Sequence, residues 1–243
     1  MLERQPAALM LSFGEVAPHA ARIKRAGVPL ICQVQGMKYL REAVDAGADV
    51  IVAEGSEAGG HSGHRGLFTL VPEAADYLAR HAPRTPLVAA GGVGDGRGLA
   101  AALMLGADGV LVGTRFIACA ESEAPAGFRD AIVAADGDAT VKSASVDVVR
   151  KRHWPNPEFV VRVLRNRFVE RWHGHEREIE QAIEVEHERF WTAFRAGDAD
   201  NSGVLMGEVT GLIHDAPPVA VIVQRMVVQA CELLGAATRW IVR

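Results

Sequence analysis

The first half of the chain repeats one phrase: a helical stretch, a glycine or proline, then a short apolar run. "HAARIKRAG" precedes "VPLICQV", "LREAVDAG" precedes "ADVIVA", "EAADYLARHAPRT" precedes "PLVAAGG", and "GLAAALMLG" precedes "ADGVLVGT". Gly27, Gly47 and Gly106 fall where a helix C-terminus calls for a left-handed residue. The apolar runs are continuous rather than alternating, the pattern of strands covered on both faces. Helices alternating with such strands predict βαβ units on a parallel sheet, the α/β class. That class also says where to look for chemistry, because ligands of parallel sheets bind at the carboxyl ends of the strands.

Three of those ends are unusual. "VIVA" runs into Glu54-Gly-Ser-Glu-Ala-Gly-Gly-His-Ser-Gly-His-Arg-Gly66, "PLVAA" into Gly91-Gly92-Val93-Gly94-Asp95-Gly96, and "GVLV" into Gly113-Thr114-Arg115. Glycine lets backbone N–H groups approach an anion closely. Two glycine-rich ends on consecutive strands are the phosphate grip of a (β/α)8 barrel. The donors expected are the N–H groups of Gly92, Gly113 and Thr114, with the Thr114 hydroxyl. His61 lies on the adjacent loop, which reads as flexible, and an imidazole there could move a proton above whatever the phosphate anchors. Glu54 and Glu57 are hydrogen-bond acceptors, either for the loop itself or for a ligand. His61 and His64 lack a third ligand at a useful spacing, so no metal site is expected.

Other classes fit poorly. A formal net charge of -4 with no concentrated basic face argues against nucleic acid as a partner. Three cysteines, far apart and odd in number, suggest a reducing compartment rather than a disulfide framework. No signal peptide is apparent at the N-terminus, and no apolar run reaches the roughly 18–20 residues of a membrane span. A cytoplasmic protein without membrane contact is the expectation.

From about Pro125 the texture changes. "FRDAIVAADGDATVKS" and "PEFVVRVLRNRFVERW" read as helix with turns. "HEREIEQAIEVEHERFWTAFRAGD" reads as one long charged helix, with Ile179, Ile183, Phe190 and Phe194 on or near one face. The tail has a Pro-Pro break and then a strongly apolar helix, expected to bury itself against the sheet.

Taken together, "VIVAEGSEAGGHSG", "PLVAAGGVGDGRGLAAALMLGADGVLVGTRFIACAES" and "MGEVTGLIHDAPPVAVIV" resemble the nitronate monooxygenases, FMN enzymes built on a (β/α)8 TIM barrel. "WPNPEFVVRVLRNRFVERWHG" is similar to the bacterial branch of that family. The resemblance implies that backbone around Gly91, Gly92, Gly113 and Thr114 holds the FMN phosphate. Glu54, Gly55, Gly59 and Gly60 join the cofactor-binding set, and His61 is the active-site histidine of the Ala-Gly-Gly-His motif. It also implies a small nitronate substrate, oxidised with O2 to a carbonyl compound and nitrite. The same motifs resemble the flavin-dependent enoyl-acyl-carrier-protein reductases, which use NAD(P)H. Glu54 suits that sister group, whereas nitronate monooxygenases commonly carry glutamine at this place.

Only five barrel strands can be counted: "ALMLSF", "PLICQV", "VIVA", "PLVAA" and "GVLV". The expected architecture is therefore an N-terminally incomplete barrel over 1–124, a helical cap over 125–202, and helices returning to the barrel over 203–243. Its first and last strands would be open edges beside an uncovered interior, a pairing site that makes a homo-oligomer one outcome. The chain then reads as a truncated reading frame, a fragment that assembles with another polypeptide, or a paralogue that keeps phosphate-site residues without turnover.

Overall fold

The computed structural model describes residues 2–154 and 156–237. Its first half runs β1 (Leu9–Leu11), α1 (Ala17–Arg25), β2 (Leu30–Val34), α2 (Met37–Asp45), β3 (Val50–Glu54), β4 (Gly60–Ser62), α3 (Leu67–His81), β5 (Leu87–Ala90), α4 (Gly96–Met104) and β6 (Gly109–Leu111). Strands β1, β2, β3, β5 and β6 pair in parallel, in that order. Sequential parallel strands, each reached through a helix, are how consecutive units of a (β/α)8 wall are laid down. The "GAD" repeats have a matching job. Asp49 and Asp108 each accept the first backbone N–H of the neighbouring strand, from Leu30 and Leu87 at 2.8 Å.

One face of this sheet is closed. Leu30, Cys32, Val34, Ile51, Ala53, Leu87 and Ala89 are buried against the helices. The register aligns the opposite face into rows: Met10, Ile31 and Val50; Gln33, Val52 and Val88; Glu54, Ala90 and Leu111. At its two edges Met10 is 41% exposed and Leu111 38%. On this opposite face cover is partial: Val52, Glu54 and Ala90 are buried, while Ile31, Val50 and Val88 are half-buried, so the continuous apolar runs mislead only in part.

The second half comprises α5 (Thr114–Ile117), α6 (Ala126–Ala134), β7 (Thr140–Lys142), α7 (Ser145–Val149), β8 (Val160–Leu164), α8 (Arg167–Trp172), α9 (Glu176–Gln181), α10 (Ile183–Ala196) and α11 (Val219–Ala236). Its expected all-helical character is wrong. A second sheet, antiparallel and ordered β4, β8, β7, joins the glycine–histidine stretch to this half. The signal was present in "VVRVL", where Val161 and Val163 are fully buried and Val160, Arg162 and Leu164 are not, a period of two rather than 3.6. The single long helix is also wrong, since the chain breaks at Ala182 (φ −115°, ψ 23°) between α9 and α10. Ile179 and Phe190 nonetheless bury together with Val161, Val163 and Trp172, and Ile183 packs at their margin. Phe194 packs instead on Phe128.

Helix α11 does not lie on the sheet. It packs on α4, burying Ile222, Met226 and Ala230 and leaving Val223, Val227 and Val228 exposed. With 18 residues and a mean hydropathy of 1.5 it is long and apolar enough to cross a membrane by length and composition alone, though Gln224, Arg225 and Glu232 interrupt its apolar run. The close approach depends on Gly96, where an added Cβ would meet the Met226 carbonyl oxygen at 2.5 Å and the Ala230 nitrogen at 2.6 Å. Both are backbone atoms that cannot swing away. Gly96→Ala should therefore destabilise by about 1–3 kcal/mol, the cost of overpacking. Urea denaturation reads this, and an unchanged midpoint would mean the two helices are free to separate.

Candidate active site

The loops after β3, β5 and β6 converge on a cavity of about 90 Å³ lined by Glu54, Glu57, Gly59, Gly91, Gly92, Gly113 and Thr114, among others. Its roof comes from the tail. The Gly207 N–H donates to Thr114 Oγ1 at 3.0 Å, and the Glu208 N–H to the Glu57 carbonyl at 3.0 Å. Backbone lies directly on backbone here: a Cβ on Gly59 would come within 2.5 Å of the Gly207 nitrogen. Gly92, at φ +71°, presents the left-handed turn that carries the chain from β5 toward α4. Among the described residues, no protein acceptor takes the N–H groups of Gly92, Gly113 or Thr114. Since Thr114 Oγ1 already accepts, its hydroxyl hydrogen is left to donate. A small cradle with outstanding donors and no fixed negative charge of its own beyond Glu54 and Glu57 suits an anionic group such as a phosphate.

Ser12, Gln35 and Glu54 tie the ends of β1, β2 and β3 together. Gln35 Nε2 donates to Glu54 Oε2 at 2.8 Å and to Ser12 Oγ at 3.2 Å. Burial pushes the Glu54 carboxyl up to about 7, partly offset by hydrogen bonds from Gln35 and Gln33 and by the charge of Lys142. Burial likewise pulls the Lys142 ammonium down, reinforced by Arg162. Lys142 donates to the carbonyls of Gly63 and Ser62. Glu57 holds the loop: both its oxygens accept the N–H of Leu67, the first residue of α3.

His61 is not on a flexible loop. It sits in β4, opposite Val161 of β8, and its side chain is 9% exposed. Arg162 clamps this arrangement, donating to the Ser56 carbonyl and Thr140 Oγ1 and pairing with Glu208 at 2.8 Å. The His61 ring meets Trp154 at 3.8 Å between centroids and Phe13 at 6.0 Å, and its Nε2 lies 2.7 Å from Asp147 Oδ2. Phe13 holds this position with φ at 64°, a strained value for a bulky residue. Asp147, Trp154 and Phe13 were not singled out from sequence. They come from distant segments: Asp147 and Trp154 from the half that β8 pairs to β4, and Phe13 from the end of β1.

A family model described as nitronate monooxygenase matches residues 2–229. The chain belongs to the nitronate monooxygenase family. It is 39% identical over 212 residues to the nitronate monooxygenase npaC of Metarhizium robertsii, covering 80% of this chain and 57% of that protein. Among solved structures, FabK from Thermotoga maritima superposes with a TM-score of 0.85 at 30% identity, over 99% of this chain and 73% of that one. A nitroalkane oxidase from Streptomyces ansochromogenes gives 0.79 at 26%, over 97% and 67%. The chain spans about half the length of the curated relatives it matches. The nitronate monooxygenase family is one of flavin-dependent oxidoreductases, which sets the scale against which the cavity is read.

Within that frame Glu54, Gly59, Gly91, Gly92, Gly113 and Thr114 share one cavity. Gly55 stands behind it, its N–H bonded to the Ala90 carbonyl at 2.9 Å. Gly60 belongs to β4, and His61 projects beyond the cavity wall. His64 makes no ligand set with it: among the described residues no cluster suited to a metal is found.

Proposed function

We propose that the chain carries the FMN site of a nitronate monooxygenase. The observation behind this is the convergence of three strand-end loops on one cradle whose outstanding donors are the N–H groups of Gly92, Gly113 and Thr114. Those donors and the Thr114 hydroxyl would hold the FMN phosphate, with Glu54 and Gly59 forming the neighbouring wall and Gly55 and Gly60 supporting it from behind. The segment up to 124 contributes the cradle, 125–202 surround His61, and the segment after 202 roofs the cradle through Gly207 and Glu208. FMN, when bound, supplies the electron acceptor for a nitronate whose further reaction with O2 yields a carbonyl compound and nitrite. His61 takes a proton from a neutral nitroalkane, or orients a nitronate through a hydrogen bond. A second reading, hydride transfer from NAD(P)H to an enoyl thioester, is favoured by Glu54 alone, the residue that suits the sister group.

The test is the visible spectrum of the purified chain after addition of FMN and removal of the excess. Retained flavin bands, with nitronate turnover exceeding NADH-dependent enoyl thioester reduction, would support the proposal; a colourless folded protein would remove it. Gly92→Val should lower flavin affinity roughly tenfold or more, because a β-branched residue at that φ costs about 1–3 kcal/mol. Full occupancy in the variant would place the phosphate elsewhere.

A further inference from the structure

Asp147 lies in the first turn of α7, and its side chain is only 10% exposed. Its Oδ2 bonds to His61 Nε2 at 2.7 Å, while Oδ1 is enclosed with no bonding partner among the described residues. Arg150, one turn further along, forms no hydrogen bond or ion pair with it; the Arg150 Nε is itself enclosed without a partner. Among the described residues His61 is thus the one hydrogen-bonding partner of this carboxylate, and the Arg150 charge nearby favours its ionised form. A buried, ionised carboxylate with one hydrogen-bonding partner is costly unless that partner donates a hydrogen. Nε2 must therefore carry the hydrogen, and the lone pair of the neutral ring falls on Nδ1. The Trp154 ring, tilted 36° with its centroid 3.8 Å away, hinders the imidazole from turning over.

Resting on the proposed role of His61 as the proton acceptor, we propose that Asp147 is the positioning residue of the site: it holds neutral His61 as the Nε2–H tautomer, so that Nδ1 meets the acidic carbon. In the step itself the C–H bond of the nitroalkane breaks and its electron pair stays in the nitronate. The proton goes to Nδ1, and the resulting imidazolium turns its Nε2–H toward the Asp147 carboxylate. The proton later returns to solvent.

The deciding measurement is a long-range 1H–15N correlation of the imidazole nitrogens in the 15N-labelled full chain, at a pH where the ring is neutral. His61→Asn assigns the signal. The wild-type protein should show the Nε2–H pattern, Asp147→Asn a mixture with Nδ1–H, and Asp147→Glu a return toward Nε2–H. In flavin-loaded protein, Asp147→Asn should lower nitroalkane turnover by roughly 100-fold, the low end of a general base's contribution, and leave a preformed nitronate near the wild-type rate. An Nδ1–H pattern for His61 in the wild type would overturn the proposal, whatever the Asp147 variants do. So would an Asn variant that changes neither the tautomer nor the ratio of the two rates. If neither substrate is turned over by any form, the proposed function fails, and the tautomer measurement still decides the role of Asp147.

Discussion

His61→Asn should leave the flavin content unchanged and cut turnover of a neutral nitroalkane by about 100-fold or more. The first half of that expectation follows from placement. His61 projects from β4 and does not line the cradle formed by Gly91, Gly92, Gly113 and Thr114. Asparagine is too short to reach Asp147 Oδ2 as Nε2 does, but the β4–β8 pairing is made by backbone and should survive. What it lacks is a nitrogen that takes a proton near neutral pH. Comparing a nitroalkane with its preformed nitronate isolates that loss, because the nitronate has already given up the proton. An undiminished nitroalkane rate would end the assignment of His61 as a base. Loss of flavin from the variant would show instead that β4 supports the cradle.

Glu54→Gln should raise stability at about pH 8 by up to about 3 kcal/mol and change little at about pH 4. The Glu54 carboxyl is raised to about 7 from an ordinary 4.5, and each unit of difference between folded and unfolded chain is worth about 1.4 kcal/mol. The folded state holds the proton more tightly than the unfolded chain between those two values. Stability is therefore highest below about 4.5, falls as pH rises to about 7, and is level beyond. Glutamine keeps an acceptor for the Gln35 amide but has no charge to desolvate, so it should remove the slope. Urea midpoints at the two pH values give the answer. An equal difference at both would mean that Glu54 is solvated in the folded chain. The same variant carries the residue common in nitronate monooxygenases, so its turnover also tests whether Glu54 favours the second reading.

Much of the barrel wall was legible because its information is local. Each strand is announced by a helix, a glycine and an apolar run, and Gly27, Gly47 and Gly106 take left-handed conformations as their positions suggest. The cradle was legible for the same reason, since Gly91–Gly92 and Gly113–Thr114 follow directly from strand ends. The surroundings of His61 were not. Three residues of β4 carry no strand signal of their own, and their partner β8 lies about a hundred positions away, its period-two signal too short to stand out between flanking helical sequence. Asp147 was hidden in a short five-residue helix whose sequence carries no recognisable signal. The break at Ala182 between α9 and α10 is likewise marked by neither glycine nor proline.

The roof laid over the cradle by Gly207 and Glu208 has a kinetic corollary. The parallel sheet joins neighbours in the chain, whereas Gly207 reaches Thr114 across 93 residues and Arg162 reaches Ser56 across 106. Contacts of that span carry the larger loop-closure entropy and are expected to form after the local ones. A flavin captured beneath that roof would stabilise the closed state by mass action. The bound cofactor would thereby act as a latch on the last stage of assembly.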